Sequence, residues 1–289
     1  MATANQEKYY VPHGSHWPIV GSLGLFSLAI GSAMALNNAA GGALLAYLGA
    51  ATIICMLFGW FGTVIHESVN NFYNAQVDRS FRQGMIWFIA SEVFFFAAFF
   101  GALLYARQMS LPWLSGEANN LFTNLLLWPG FENAWPSNGP GVVGGEFEAM
   151  AGTGLPAINT LILLTSGVTV TIAHHALKHG QRQLLNLTLA ATVALGFIFV
   201  ALQISEYKEA YGHMNLTLGS GIYGSTFYML TGFHGLHVTL GAIMLLVVLL
   251  RCFKGHFSAE NHFAFEAAAW YWHFVDVVWL GLYVFVYWL

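Results

Sequence analysis

GMIWFIASEVFFFAAFFGALLYA, residues 84–106, decides how the rest of the chain is read. Its 23 residues lie between Arg82 and Arg107 and are long enough to cross a hydrocarbon core of about 30 Å at roughly 1.5 Å per residue. One ionisable residue, Glu92, interrupts it. A charged side chain at that depth costs about 2.5–3.5 kcal/mol on insertion scales, so Glu92 needs a partner, a proton or water. An intramembrane carboxyl marks a functional site by default. The plainer alternative is a carboxyl that only orients a helix bundle by hydrogen bonding.

Composition agrees with a membrane chain. Of 289 residues, 57% are hydrophobic and 8% charged, against about 25% charged in soluble domains. Two cysteines, Cys55 and Cys252, lie in separate apolar stretches and offer neither a disulfide framework nor a thiolate metal site. The first 18 residues are polar, without the basic start and apolar core of a signal peptide. The expected fold is all-α, a single polytopic membrane domain over 1–289. Its seven spans fall at about 19–36, 43–65, 84–106, 157–177, 184–204, 222–250 and 265–288. Residues 108–156 carry four glutamates and no Lys or Arg, and read as an irregular external cap.

Seven spans put the termini on opposite sides. Lys8, Arg79, Arg82, Lys178, Arg182, Arg251 and Lys254 then share the N-terminal side, and only Arg107 and Lys208 the other. That bias places the N-terminus in the cytoplasm and the C-terminus and cap outside.

Depth along each span brings five polar residues to one layer. Glu92 lies roughly 12 Å and Asp276 roughly 16 Å from the inner ends of their spans. His234 and His237 are three apart on one helix, and His273 is three before Asp276 on another. Such a layer fits a proton path, a haem held between His234 or His237 and His273, or a scaffold that satisfies its own polar groups. Histidines in aromatic, small-residue surroundings are more often hydrogen-bonded core residues than haem ligands. His174 and His175 point about 100° apart and do not both face one metal. No metal or catalytic residue is expected. An independent transporter or channel with Glu92 as its ion site is the alternative function, although no mid-membrane Gly-Pro break and no inverted repeat supports it.

Several segments together resemble subunit III of the haem-copper cytochrome c oxidases. They are Trp17-Pro18-Ile19, His66-Glu67-Ser68, the Glu92 stretch, residues 166–182, 202–210 and 221–238, and finally 261–288. The resemblance covers everything except the cap. It implies a pair of helices and a group of five with a phospholipid-holding cleft, and no redox centre in this chain. It further implies haem and copper in partner subunits I and II, a small subunit IV where one is present, cytochrome c as donor to the complex, and no nucleic acid. The role implied is support of proton uptake into subunit I during dioxygen reduction and proton pumping by an aa3-type enzyme, with Glu92 as the family's carbodiimide-reactive glutamate. Where mitochondrial members carry Arg, this chain has His66. The cap is longer than theirs, which points to a bacterial cytoplasmic membrane rather than the mitochondrial inner membrane. From position, Glu67 with His66 sits at the inner boundary to collect protons or set headgroups. Trp60, His66, Arg79, Arg251, Lys254 and His256 are the lipid-binding candidates.

Overall fold

The structure, a computed structural model, describes residues 10–11 and 14–289; Lys8 and most of the polar opening stretch lie outside the described residues. Among the described residues, seven helices are long and apolar enough to cross a membrane: α1 (Trp17–Leu36), α2 (Gly42–Val69), α3 (Ala75–Leu114), α4 (Leu155–Lys178), α5 (Arg182–His213), α6 (Gly221–Phe253) and α7 (Phe263–Trp288). No strand occurs among the described residues. In hydrocarbon every backbone group must be paired within its own segment, which a helix does.

Several helices run past the apolar stretches seen in the sequence. α3 starts at Ala75 because Asn74 Oδ1 accepts the amides of Gln76 (3.1 Å) and Val77 (2.9 Å), capping the first turn. Arg82 Nε then meets Asp78 at 2.8 Å, one turn apart. Asn74→Ala should cost about 1 kcal/mol and Asn74→Ser much less. Faster hydrogen exchange at the Gln76 and Val77 amides in the alanine variant alone is the expected readout. At its far end α3 widens into a π-helical turn at Ala106–Ser110 before Pro112, which has no amide to donate back.

The chain packs as two compact units, Met1–Gln83 and Gly84–Leu289. In the first, α1 and α2 form a hairpin of unusually close backbones. A Cβ placed on Gly31 would overlap the backbone of Ala46, one on Gly49 that of Leu28, and one on Gly42 that of Ala35. Small residues of this kind let membrane helices gain contact where lipid is as apolar as the side chains. The connecting turn uses Asn38 and Gly41 at positive φ (56° and 80°). Trp17 lies in the space left by Gly59, and its Nε1 donates to Thr63 Oγ1 at 3.3 Å.

The second unit holds the main core, formed by α4–α7 with the later part of α3. Trp272, Trp279, Phe199, Phe227 and Phe265 are its largest fully buried side chains. Both indoles have their polar atom satisfied, Trp272 Nε1 by Ser166 Oγ and Trp279 Nε1 by Thr160 Oγ1, each at 2.9 Å. The Trp272 ring lies against Gly196 and Gly241. The cap is mostly turns, with a short π-helical stretch at Thr123–Leu127. It is tied down at one end of α5 and α6: Glu148 N donates to Met214 O (2.9 Å), Asn215 Nδ2 to Glu146 O (2.7 Å), and Phe147 stacks on Tyr223 at 5.4 Å.

Candidate functional site

Glu92 lies on α3 and meets His237 of α6: Nε2 to Oε2 is 2.7 Å, with side-chain exposures of 11% for His237 and 21% for Glu92. The other ring nitrogen, Nδ1, is 2.6 Å from the carbonyl of Phe233. A carbonyl only accepts, so Nδ1 carries a hydrogen. The short contact on Nε2 therefore holds one proton, either on the imidazole facing a carboxylate or on the carboxyl facing a neutral ring. One hydrogen thus bridges the two side chains, and aromatic rings surround them. Phe96 (5.0 Å) and Phe95 (5.9 Å) approach the imidazole, and Tyr271 stacks on it at 6.3 Å.

The remaining members of the expected layer face elsewhere. His234, one turn before His237, turns into the core, where Nε2 donates to Val275 O of α7 at 3.2 Å between Phe199 and Trp279. His273 faces α4, with Nε2 3.2 Å from Thr171 Oγ1, and Asp276 lies 3.7 Å from its Nδ1. That separation is an electrostatic contact, not a hydrogen bond. The Asp276 carboxyl sits where a Cβ on Gly167 would be, so that glycine makes its room. Only Glu92 and His237 form a direct pair; His234, His273 and Asp276 belong to neighbouring contacts of α4, α6 and α7.

Near the start of α3, in the first unit, Glu67 accepts two phenols: Tyr73 OH at 2.6 Å and Tyr10 OH at 3.0 Å. Burial, and then the Glu67 carboxylate, push the Tyr73 hydroxyl well above its usual range, so it remains a donor at any physiological pH. His66 is exposed and contacts Asn70; among the described residues no hydrogen bond joins it to Glu67. Trp60 stacks on Phe61 at 5.8 Å, and Arg79 and Lys254 are exposed. Arg251 is instead buried, its guanidinium 4.4 Å from the Phe257 ring centre. Burial and then the charges of Arg251 and Lys254 lower His256, keeping it neutral near pH 7.

Sequence reasoning passed over Glu206. It is fully buried on α5, accepts Tyr287 OH at 2.7 Å, and lies 3.4 Å from Gln203 Nε2. Its signal was a Gln-x-x-Glu face entering an apolar helix that continues to His213.

A sequence model of the family described as Cytochrome c oxidase subunit III matches residues 7–116 and 125–289, leaving out only part of the cap between its two matched stretches. The chain is 40% identical to the cytochrome c oxidase subunit 3 of Dugong dugon over 287 residues, covering 99% of this chain and 98% of that protein. The subunits 3 of Oryctolagus cuniculus and Equus asinus match at the same identity and coverage.

Proposed function

The chain belongs to the cytochrome c oxidase subunit III family, and on that premise we propose that the Glu92–His237 pair is the working centre of a non-redox subunit in an aa3-type oxidase. The chain is a multi-pass, non-catalytic subunit of an oxidoreductase complex whose haem and copper lie in other subunits. Its partners in the proposal are subunits I and II, with cytochrome c as donor to the complex. The length of the cap supports a bacterial cytoplasmic membrane as its location, and the distribution of basic residues supports a cytoplasmic N-terminus.

One observation carries the reading: a carboxyl and an imidazole share a proton at 2.7 Å between two membrane helices. The pair joins α3 to α6, and its mobile proton lets it exchange with water entering from the inner face in support of proton uptake by subunit I. Glu67, held by two phenols, fixes the start of α3. Phospholipids occupy the surface near Trp60, His66 and Arg79, where an exposed imidazole replaces a permanent charge.

Glu92→Gln separates the two roles of the pair. A glutamine amide still donates to a neutral His237 but carries no transferable proton. The expected result is an oxidase that keeps this subunit yet takes up protons more slowly and inactivates after fewer turnovers. Glu92→Ala should additionally release the subunit in mild detergent. Wild-type proton uptake and turnover lifetime in Glu92→Gln would sink the proposal.

A further inference from the structure

The stretch LFTNLLLW of the cap, residues 121–128, is built inside out. Its polar side chains turn inward. Asn124 Nδ2 faces three backbone carbonyls, those of Leu114 (3.3 Å), Trp128 (3.1 Å) and Phe131 (2.9 Å). Thr123 Oγ1 accepts the indole N–H of Trp113 at 3.1 Å. The apolar side chains turn outward: Phe122, Leu126 and Leu127 are 71%, 74% and 67% exposed, and Leu121 and Leu125 are exposed beside them. Folding in water rewards the opposite arrangement. A single exposed leucine means nothing, but this run is contiguous, and no charged residue occurs between Glu117 and Glu132.

The patch continues a surface that begins in the membrane span. Tyr105, Met109 and Trp113 follow one another four residues apart on α3, and all three are exposed. An apolar stripe therefore climbs from the end of the apolar run to the indole that holds Thr123. Trp113 stands six residues past Arg107, about 9 Å of helical rise, within the layer of about 5–10 Å that interfacial segments occupy. Gly116, at φ 81°, reverses the chain there, and a Cβ on it would overlap the Asn124 side chain. The stretch thus folds back against the end of α3. Its one polar side chain not turned inward is the Trp128 indole, an amphipathic ring suited to headgroup level. A protein interface would carry about one hydrogen bond per 100–200 Å², and the outward leucines and phenylalanine offer none.

We propose that residues 121–128 seat the cap in the bilayer surface, with Phe122, Leu125, Leu126 and Leu127 among the upper acyl chains of the leaflet on the cap's side. The occupant of the patch is phospholipid. The cap is then held twice, by its hydrogen bonds to Met214 and Asn215 and by lipid. Residues 121–124 fall between the two stretches matched by the family model, so this contact is a feature of this chain's own cap. It is independent of the Glu92–His237 pair.

The test uses the purified oxidase complex in phospholipid nanodiscs, with a nitroxide label at Leu126→Cys and, as an aqueous reference, at the exposed Glu132→Cys. The signal of the complex without an added cysteine is subtracted, which removes any label on Cys55. Oxygen concentrates in lipid and a nickel chelate in water, so their collision rates with each label report its surroundings. The ratio of oxygen to nickel collisions should be several-fold higher at 126 than at 132. Equal ratios put the stretch in water and overturn the proposal. A label at 126 shielded from both reagents puts a protein partner on the patch and overturns it as well. Should labelling displace the cap, the wild-type complex decides. A phosphatidylcholine with a diazirine close to its glycerol should leave carbene adducts on the peptide containing 121–128, and their absence overturns the proposal.

Discussion

Gly31→Ala is expected to break the α1–α2 hairpin, although it adds a single methyl group. The added Cβ would fall on the backbone nitrogen and Cα of Ala46 and on the carbonyl carbon of Leu45. Backbone atoms inside a helix do not yield as the end of a side chain does, so the helices must move apart. Overpacking in a well-packed core costs about 1–3 kcal/mol and occasionally more, and a backbone clash belongs at or above the top of that range. Separation also removes the close contact that holds membrane helices together without a hydrophobic driving force. Two controls on the same hairpin grade the effect. Gly62→Ala, with nothing near its Cβ position, should be silent. Gly21→Ala meets only the flexible end of Met56 and should cost a small fraction of the Gly31 effect. Thermal unfolding of the purified complex, with proteolysis of the 37–41 turn, gives the order. Equal effects at Gly31 and Gly62 would show that the hairpin does not depend on backbone contact.

Trp272→Ala should be comparably damaging in the second unit. The indole is fully buried between Gly196 and Gly241, and its Nε1 donates to Ser166 Oγ at 2.9 Å. Removing it empties a slot that no neighbour can fill, because two of its walls are glycines. Lipid would solvate the ring in the unfolded chain, so the usual water-transfer gain is absent and the loss is mainly packing contacts and a hydrogen bond. The expected destabilisation is about 3 kcal/mol or more. Trp272→Phe keeps most of the ring and loses the N–H, and about 1 kcal/mol is expected. A thermal midpoint for subunit release that falls clearly further in Trp272→Ala than in Trp272→Phe is the predicted result. Similar midpoints would mean that the hydrogen bond, not the filled volume, matters.

These two sites show why the sequence was informative about spans and less so about contacts. Apolar runs between charged residues locate seven helices because length and hydropathy are local properties. Rotation of each helix about its axis is not local. Depth alone put Glu92, His234, His237, His273 and Asp276 in one layer. Only the packing turns His237 towards α3, His234 towards Val275 and His273 towards α4. Glu206 was passed over because the apolar run stops near Ile204, whereas α5 continues to His213 and buries it.

The Glu92–His237 contact also sets a timetable for making the protein. The two residues are separated by 145 positions. At translation speeds of about 5–20 residues per second, the carboxyl enters the bilayer roughly 7–30 s before its imidazole exists. During that interval α3 is held by its own side chains: eleven Leu, Ile, Val and Phe residues in 84–106 offer about 3–7 kcal/mol of insertion free energy against the penalty at Glu92. The density of phenylalanine around Glu92 thus serves biogenesis as well as the finished bundle. It lets a helix that carries an acid in its apolar run wait in the membrane for a partner still on the ribosome.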